Sequence, residues 1–278
     1  MRLNVPATAV SLDGIVNAFS GDANAIVPGG LYSLSVSGMQ LPGIDLGLNA
    51  TADLPTTLGG VQVTVDGVPA PLLETSAGRV IVTVPSVLPL GRLYSGPRGF
   101  RLVQVIFNDV ASNAVLMPVS TFLPGLLTRD FPNTPYYTTV PVDAIARNED
   151  GTLNDADHPA ALGSTITLYA TGVGATDPAV SLGSIADSTN VVPETPIYSS
   201  WEIGSPGLNP LPEMVSSIPG FVSSMFQIRV QVQLPNAVPG TSVGNGVQRV
   251  SLGVGPSVGD DPLPPASNYV SVYVQEAI

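Results

Sequence analysis

The chain has 278 residues, a net charge of −12 and no cysteine, and its nine basic residues are all arginine. Without thiols there are no disulfides, no thiol catalysis and no Cys-ligated zinc or iron–sulfur site, and without lysine there is no Schiff base and no lysine isopeptide crosslink. So acidic a surface repels phosphate backbones and anionic lipid, which argues against nucleic-acid and membrane-surface partners.

Residues 1–13 form a β-prone start broken by Pro6, read either as a first edge strand or as an arm that pairs with a neighbouring molecule. Leu31–Val36 alternates so that Tyr32, Leu34 and Val36 face a core. Gln40–Pro55 is a polar loop carrying Asp45 and Asp53. Val61–Val65 alternates again and ends in Asp66-Gly67, the dipeptide suited to a two-residue hairpin turn. Val68–Leu73 reads as a returning strand with prolines at 69 and 71, which suits a sheet edge. Val80–Val84 returns to the core, Pro89–Gly99 is a loop, and Arg101–Phe107 and Val115–Phe122 pair about the turn Asn108-Asp109. Together these make a sandwich of about seven strands.

Leu123–Pro141 holds four prolines with Phe131, Tyr136 and Tyr137, and is expected to be a stiff linker. The pattern then repeats. Val27–Met39 aligns with Ala161–Val173, Val80–Pro89 with Ile228–Pro239, and Arg101–Asn113 with Gln248–Asn268. The expected organisation is all-β, two tandem Ig-like β-sandwich domains at 1–122 and 142–278 joined by 123–141. The 29 glycines and 28 prolines fit many tight turns between short strands. No apolar run reaches the roughly 18 to 20 residues of a membrane-spanning helix. Met1–Pro6 lacks the long apolar core of a secretory signal, so another export route or a mature or partial form is expected.

Several pieces in order support a resemblance. They are Ile15–Ala18, Leu54–Val65 followed by Asp66–Ala70, Gly151–Asn154, Pro159–Gly163, Ile166–Gly174, and Ile218–Val222 before Gln233-Leu234-Pro235. Over residues 14–275 the chain resembles the acidobacterial "Solibacter uncharacterised C-terminal" domain, a relative of the IPT/TIG immunoglobulin-like modules. The resemblance implies a pair of Ig-like sandwiches on secreted or cell-surface proteins, with no catalytic residues to carry over. Here the unit is almost the whole chain, whereas in the family it usually ends a longer protein. Pro193–Met214 is long and irregular, and the acidic Gly259–Pro262 looks inserted.

The chemistry-bearing residues are few. Asp150, Asn154, Asp155 and Asp157 lie near the single histidine, His158, and could supply hard ligands to calcium. No Glu closes an EF-hand loop, so a solvated turn is the simpler reading and no cofactor is otherwise expected. No Gly-x-Ser-x-Gly elbow accompanies His158, and no glycine-rich loop opens a helix. Trp201 with Tyr198 is the one aromatic candidate for a sugar, against the plainer role of a core plug. The expectation is a non-enzymatic, extracellular or cell-surface structural protein, a homo-oligomer or polymer through edge strands. A module binding a glycan or surface protein is the alternative.

Overall fold

The computed structural model describes residues 10–85, 99–131, 142–202, 214–232, 242–244, 246–258, 261–262 and 268–275; among them there are strands and no helix. Residues 1–9 of the expected N-terminal arm, most of the loop 89–99, Tyr136 and Tyr137 lie outside the described residues.

In the first half the main strands are β1 (Ser11–Asn17), β2 (Leu31–Ser37), β3 (Val61–Val65), β4 (Leu72–Ser76), β5 (Arg79–Thr83), β6 (Phe100–Phe107) and β7 (Val115–Pro118). One sheet runs β1-β2-β5-β4 and ends on the short piece Ile44–Asp45; the other runs β7-β6-β3 and ends on Val68–Pro69. This is the strand order of a constant-type immunoglobulin sandwich. Alternation decides which side chains enter the core: Val61, Val63, Val65, Val103 and Val105 meet Tyr32, Leu34, Val80 and Val82 between the sheets. Tyr32 is wholly buried, and its hydroxyl donates to Ala25 C=O (3.0 Å) and accepts from Val27 N–H (2.9 Å).

Turn chemistry follows the sequence. Asp66 and Gly67 take φ of 50° and 79°, and Asn108 and Asp109 take 47° and 66°, the left-handed pair that a two-residue hairpin turn requires. One expected strand divides. Val68–Pro69 stays beside β3, while Leu72–Ser76 pairs with β5 in the opposite sheet. Pro69 and Pro71 have no N–H to donate, so the ladder ends and the chain crosses between sheets.

The second half has β8 (Gly125–Leu126), β9 (Val142–Asp143), β10 (Thr165–Thr171), β11 (Ile197–Glu202), β12 (Met214–Ser217), β13 (Phe226–Gln231), β14 (Val247–Val258) and β15 (Val270–Gln275). Its sheets run β8-β10-β13-β12 and β9-β15-β14-β11, with β9 parallel to β15. Here β10, β13 and β14 occupy the places of β2, β5 and β6, as the sequence repeat aligns them. A second core, including Ile166, Leu168, Ile228, Val250, Leu252 and Val272, lies between the sheets.

A side-chain device recurs at the flanks. The Asn113 amide donates to Leu12 C=O (2.9 Å) and accepts from Leu12 N–H (2.8 Å), standing where a neighbouring strand would stand. Asn268, its partner in the repeat, treats Leu126 in the same way (3.2 and 2.7 Å), and Asn154 does so to Tyr273 (2.7 and 2.7 Å). Each amide satisfies both backbone groups of one residue on an edge strand or beside a short one, and so blunts that edge.

The stretch expected to be a linker begins as structure. Gly125–Leu126 pairs with β10, and Leu127 enters a third apolar cluster with Phe19, Leu31, Leu54, Leu73, Ile81, Val222 and Met225. That cluster draws on both halves. It explains why Leu31, expected to face outward with Ser33 and Ser35, is 0% exposed. Polar groups at the seam are paired as well. Leu31 N–H donates to Thr171 Oγ1 (2.8 Å), which donates to Ser224 C=O (2.7 Å), and Ser224 Oγ bonds Thr83 Oγ1 (2.9 Å). Backbone bonds cross directly at Leu54 N–H to Gly183 C=O (2.7 Å) and Val222 N–H to Leu48 C=O (2.9 Å). Gly172, at φ +80°, lets the chains meet: a Cβ there would stand 2.6 Å from Leu123 C=O.

Asn113→Ala or Asn268→Ala should each cost about 1–3 kcal/mol in chemical unfolding, because each leaves a backbone pair unmatched. Thr171→Val, nearly isosteric, should cost a similar about 1–3 kcal/mol by stranding the Leu31 N–H.

Candidate functional site

One concavity lies along the seam. Between Leu72 and Glu74 the pairing of β4 with β5 shifts register, a β-bulge that opposes Leu72 to Val82 and Glu74 to Ile81. Without the bulge, Leu73 and Glu74 would point to opposite faces; with it, both turn away from the first core. Leu73 enters the third cluster, and Glu74 lines a groove of about 570 Å³. Arg79 closes on Glu74 at 2.6 Å, with only 10% of the Glu74 side chain exposed. Asp45 stands opposite Glu74 in the ladder, and its Oδ1 accepts from Gly47 N–H (2.8 Å). Two like charges in directly opposed positions repel, so the Arg79 guanidinium is the counter-charge that makes the arrangement stable.

The rest of the groove comes from elsewhere in the chain. Asn49 rises from the loop after Asp45, Phe221 comes from the second half, and Phe131 follows β8. Phe131 meets the buried Phe19 edge-on, at 5.3 Å between centroids and 87° between planes, which fixes its ring. A smaller cleft of about 310 Å³ lies across the seam, lined by Pro28, Thr121, Val173, Ser223 and Phe226 with Glu194.

The residues singled out in the sequence are not brought into this groove. Trp201 is 4% exposed in the second core, so its ring is not offered to a sugar; Tyr198 is half-buried on the same strand. Asn154 is 2% exposed and is consumed by its clasp on Tyr273. Asp150 accepts from the hydroxyl and amide of Thr152 (2.6 and 2.9 Å). Asp155 accepts from the amides of Asp157 (3.0 Å) and His158 (2.8 Å), and lies 3.1 Å from the His158 ring. Asp157 forms part of the same turn. Among the described residues no three His, Cys, Asp or Glu side chains converge as a metal site.

Sequence reasoning noted Asp45 only as an acid in a polar loop and passed over Glu74 and Arg79. Their spacing across a tight hairpin, Glu74-Thr-Ser-Ala-Gly-Arg79, was the available signal. The bulge that turns Glu74 outward has no signature in the residues themselves.

A second feature is a face. Phe100 (58% exposed), Leu102 (47%) and Leu116 (60%) stand together on the outer side of β6 and β7, with Leu116 in register with Leu102. On the second half, Val192 and Met214 are also exposed.

No family model and no curated protein matches the chain. Among solved structures it is similar to the gamma-CGTase from alkalophilic Bacillus clarkii (TM-score 0.26, 10% identity, 99% of this chain and 28% of that one). It is also similar to the plexin A4 full extracellular region, domains 1 to 8 (TM-score 0.22, 14% identity, 96% and 24%). The chain spans about a quarter of the length of each, and both scores are too low to transfer a function.

The acidic turn carries a pH dependence. Hydrogen bonds from the Thr152 hydroxyl and amide hold Asp150 below the ordinary 3.8. Partial desolvation pushes Asp155 up, but the bonds from His158 and Asp157 outweigh it and leave it lowered. Lowered folded values mean that the turn's contribution is complete above 3.8 and is lost as pH falls through them. In an NMR titration both carboxyls should titrate below 3.8, and the Thr152 and His158 amide proton shifts should move over the same range as their acceptors protonate.

Proposed function

We propose that the protein is a non-catalytic, exported structural subunit that self-associates at a cell surface or in an extracellular assembly. The observation that carries this reading is the apolar face of Phe100, Leu102 and Leu116, three large exposed side chains gathered on one sheet of a chain of net charge −12. A cluster of large exposed apolar side chains on one sheet face is a hallmark of an interaction surface. A second copy of the chain is the occupant, since sheet faces pack on one another and identical chains offer a matching surface.

The sequence pointed to edge strands as the route of assembly. Asn113 and Asn268 occupy the outer backbone groups of Leu12 and Leu126, so a face contact is the better-supported route. Val192 and Met214 are exposed on the other half, and a head-to-tail contact of the Phe100 face with that half, if its rotation does not close, builds a filament. The resemblance to an Ig-like module of secreted and cell-surface proteins fits this reading.

Native protein should form regular fibres or sheets by negative-stain electron microscopy, with a solution mass above that of one chain. The double variant Leu102→Glu with Leu116→Glu should be monomeric and melt within a few degrees of the native chain. A native chain that stays monomeric at high concentration would sink this reading.

A further inference from the structure

The seam groove holds a combination that the structural role does not use: a nearly buried carboxylate–guanidinium pair, a second carboxylate opposite it, an amide and two phenylalanines. We propose that this groove binds a neutral saccharide, with Asp45, Asn49, Glu74 and Arg79 engaging its hydroxyls and Phe131 and Phe221 lying against the apolar faces of its rings. The inference is independent of self-association.

Charge selects among ligand classes. Two carboxylates at the groove, on a chain of net charge −12, disfavour phosphate, sulfate and other anions. A free metal cation is disfavoured as well, because Glu74 is already matched by Arg79 at 2.6 Å and Asp45 Oδ1 is held by Gly47 N–H. What remains is a ligand without net charge that both gives and takes hydrogen bonds. Vicinal hydroxyls do both: each can donate to a carboxylate and accept from a guanidinium or an amide in the same plane.

Geometry agrees with the class. The groove of about 570 Å³ lies within the range of small-ligand sites, and such sites combine an apolar wall with a few placed polar groups. Three of its lining side chains are held in place. The bulge fixes Glu74, the ion pair fixes Arg79, and the edge contact with Phe19 fixes Phe131. Preorganisation lowers the cost of binding. The groove also exists only where the two halves meet, since Phe221 comes from the second and Asp45, Glu74 and Arg79 from the first.

The test uses the full chain against soluble cello-, xylo-, malto- and chito-oligosaccharides, read by isothermal titration and NMR shifts. At least one series should bind with shifts confined to the groove residues. Asp45→Asn and Asn49→Ala, at exposed positions that leave the seam intact, should weaken that binding about tenfold or more with an unchanged melting temperature. Glu74→Gln should weaken it further, and the two exposed variants keep the test decisive if Glu74→Gln fails to fold. Binding that neither exposed variant alters would overturn the proposal. So would the absence of binding by every series at millimolar concentration, or a preference for sulfated oligosaccharides or a peptide over all neutral ones.

Discussion

Everything in this molecule depends on covering the outer face of one sheet. Leu31, Leu73 and Ile81 point away from the first core, and left in water they would make a wide apolar strip on β2, β4 and β5. Leu127, Val222 and Met225 cover them. Each large side chain so buried contributes on the order of 1.5–3 kcal/mol before entropy is counted, so the seam behaves as a core rather than as a loose contact between domains. An apolar seam still has to satisfy the backbone groups it hides. Thr171 and Ser224 do this by relaying hydrogen bonds between the halves, and Gly172 allows the approach.

The groove follows from that junction. A bulge is a local irregularity of one ladder, yet here it places Leu73 in the seam and Glu74 at the seam's open end. The ion pair with Arg79 is affordable there because the site is only partly closed: 25% of the Arg79 side chain is exposed, so its desolvation is incomplete. Stability and site therefore share residues, and a change at Leu73 or Ile81 acts on both.

The three asparagine clasps bear on how such a chain meets its surroundings. An open sandwich exposes unpaired backbone at its edges, and an amide that fills both positions removes that template without adding a strand. That two of the clasps fall at equivalent places of the repeat shows one solution applied twice. With these edges occupied, the exposed side chains of β6 and β7 become the more accessible surface for contact.

Local chemistry was enough to determine a large part of this protein. Alternation in Val61–Val65, the Asp66-Gly67 turn, the absence of helical periodicity and the internal repeat all depend on neighbours within a few residues, and they specify an all-β chain with immunoglobulin-like strands. The failures were of another kind. Leu31 was placed on the face away from the core and 123–131 in a linker, while Trp201 kept the core plug as its plainer role; what burial those faces have depends on what arrives from far along the chain. Leu31 and Thr171 are 140 residues apart. Glu74 looked like any exposed acid until a register shift turned it beside Leu73 against a surface built partly from residue 221. Strand and turn are written locally. Which face is covered, and what stands in the space left over, only the packing of the two halves decides.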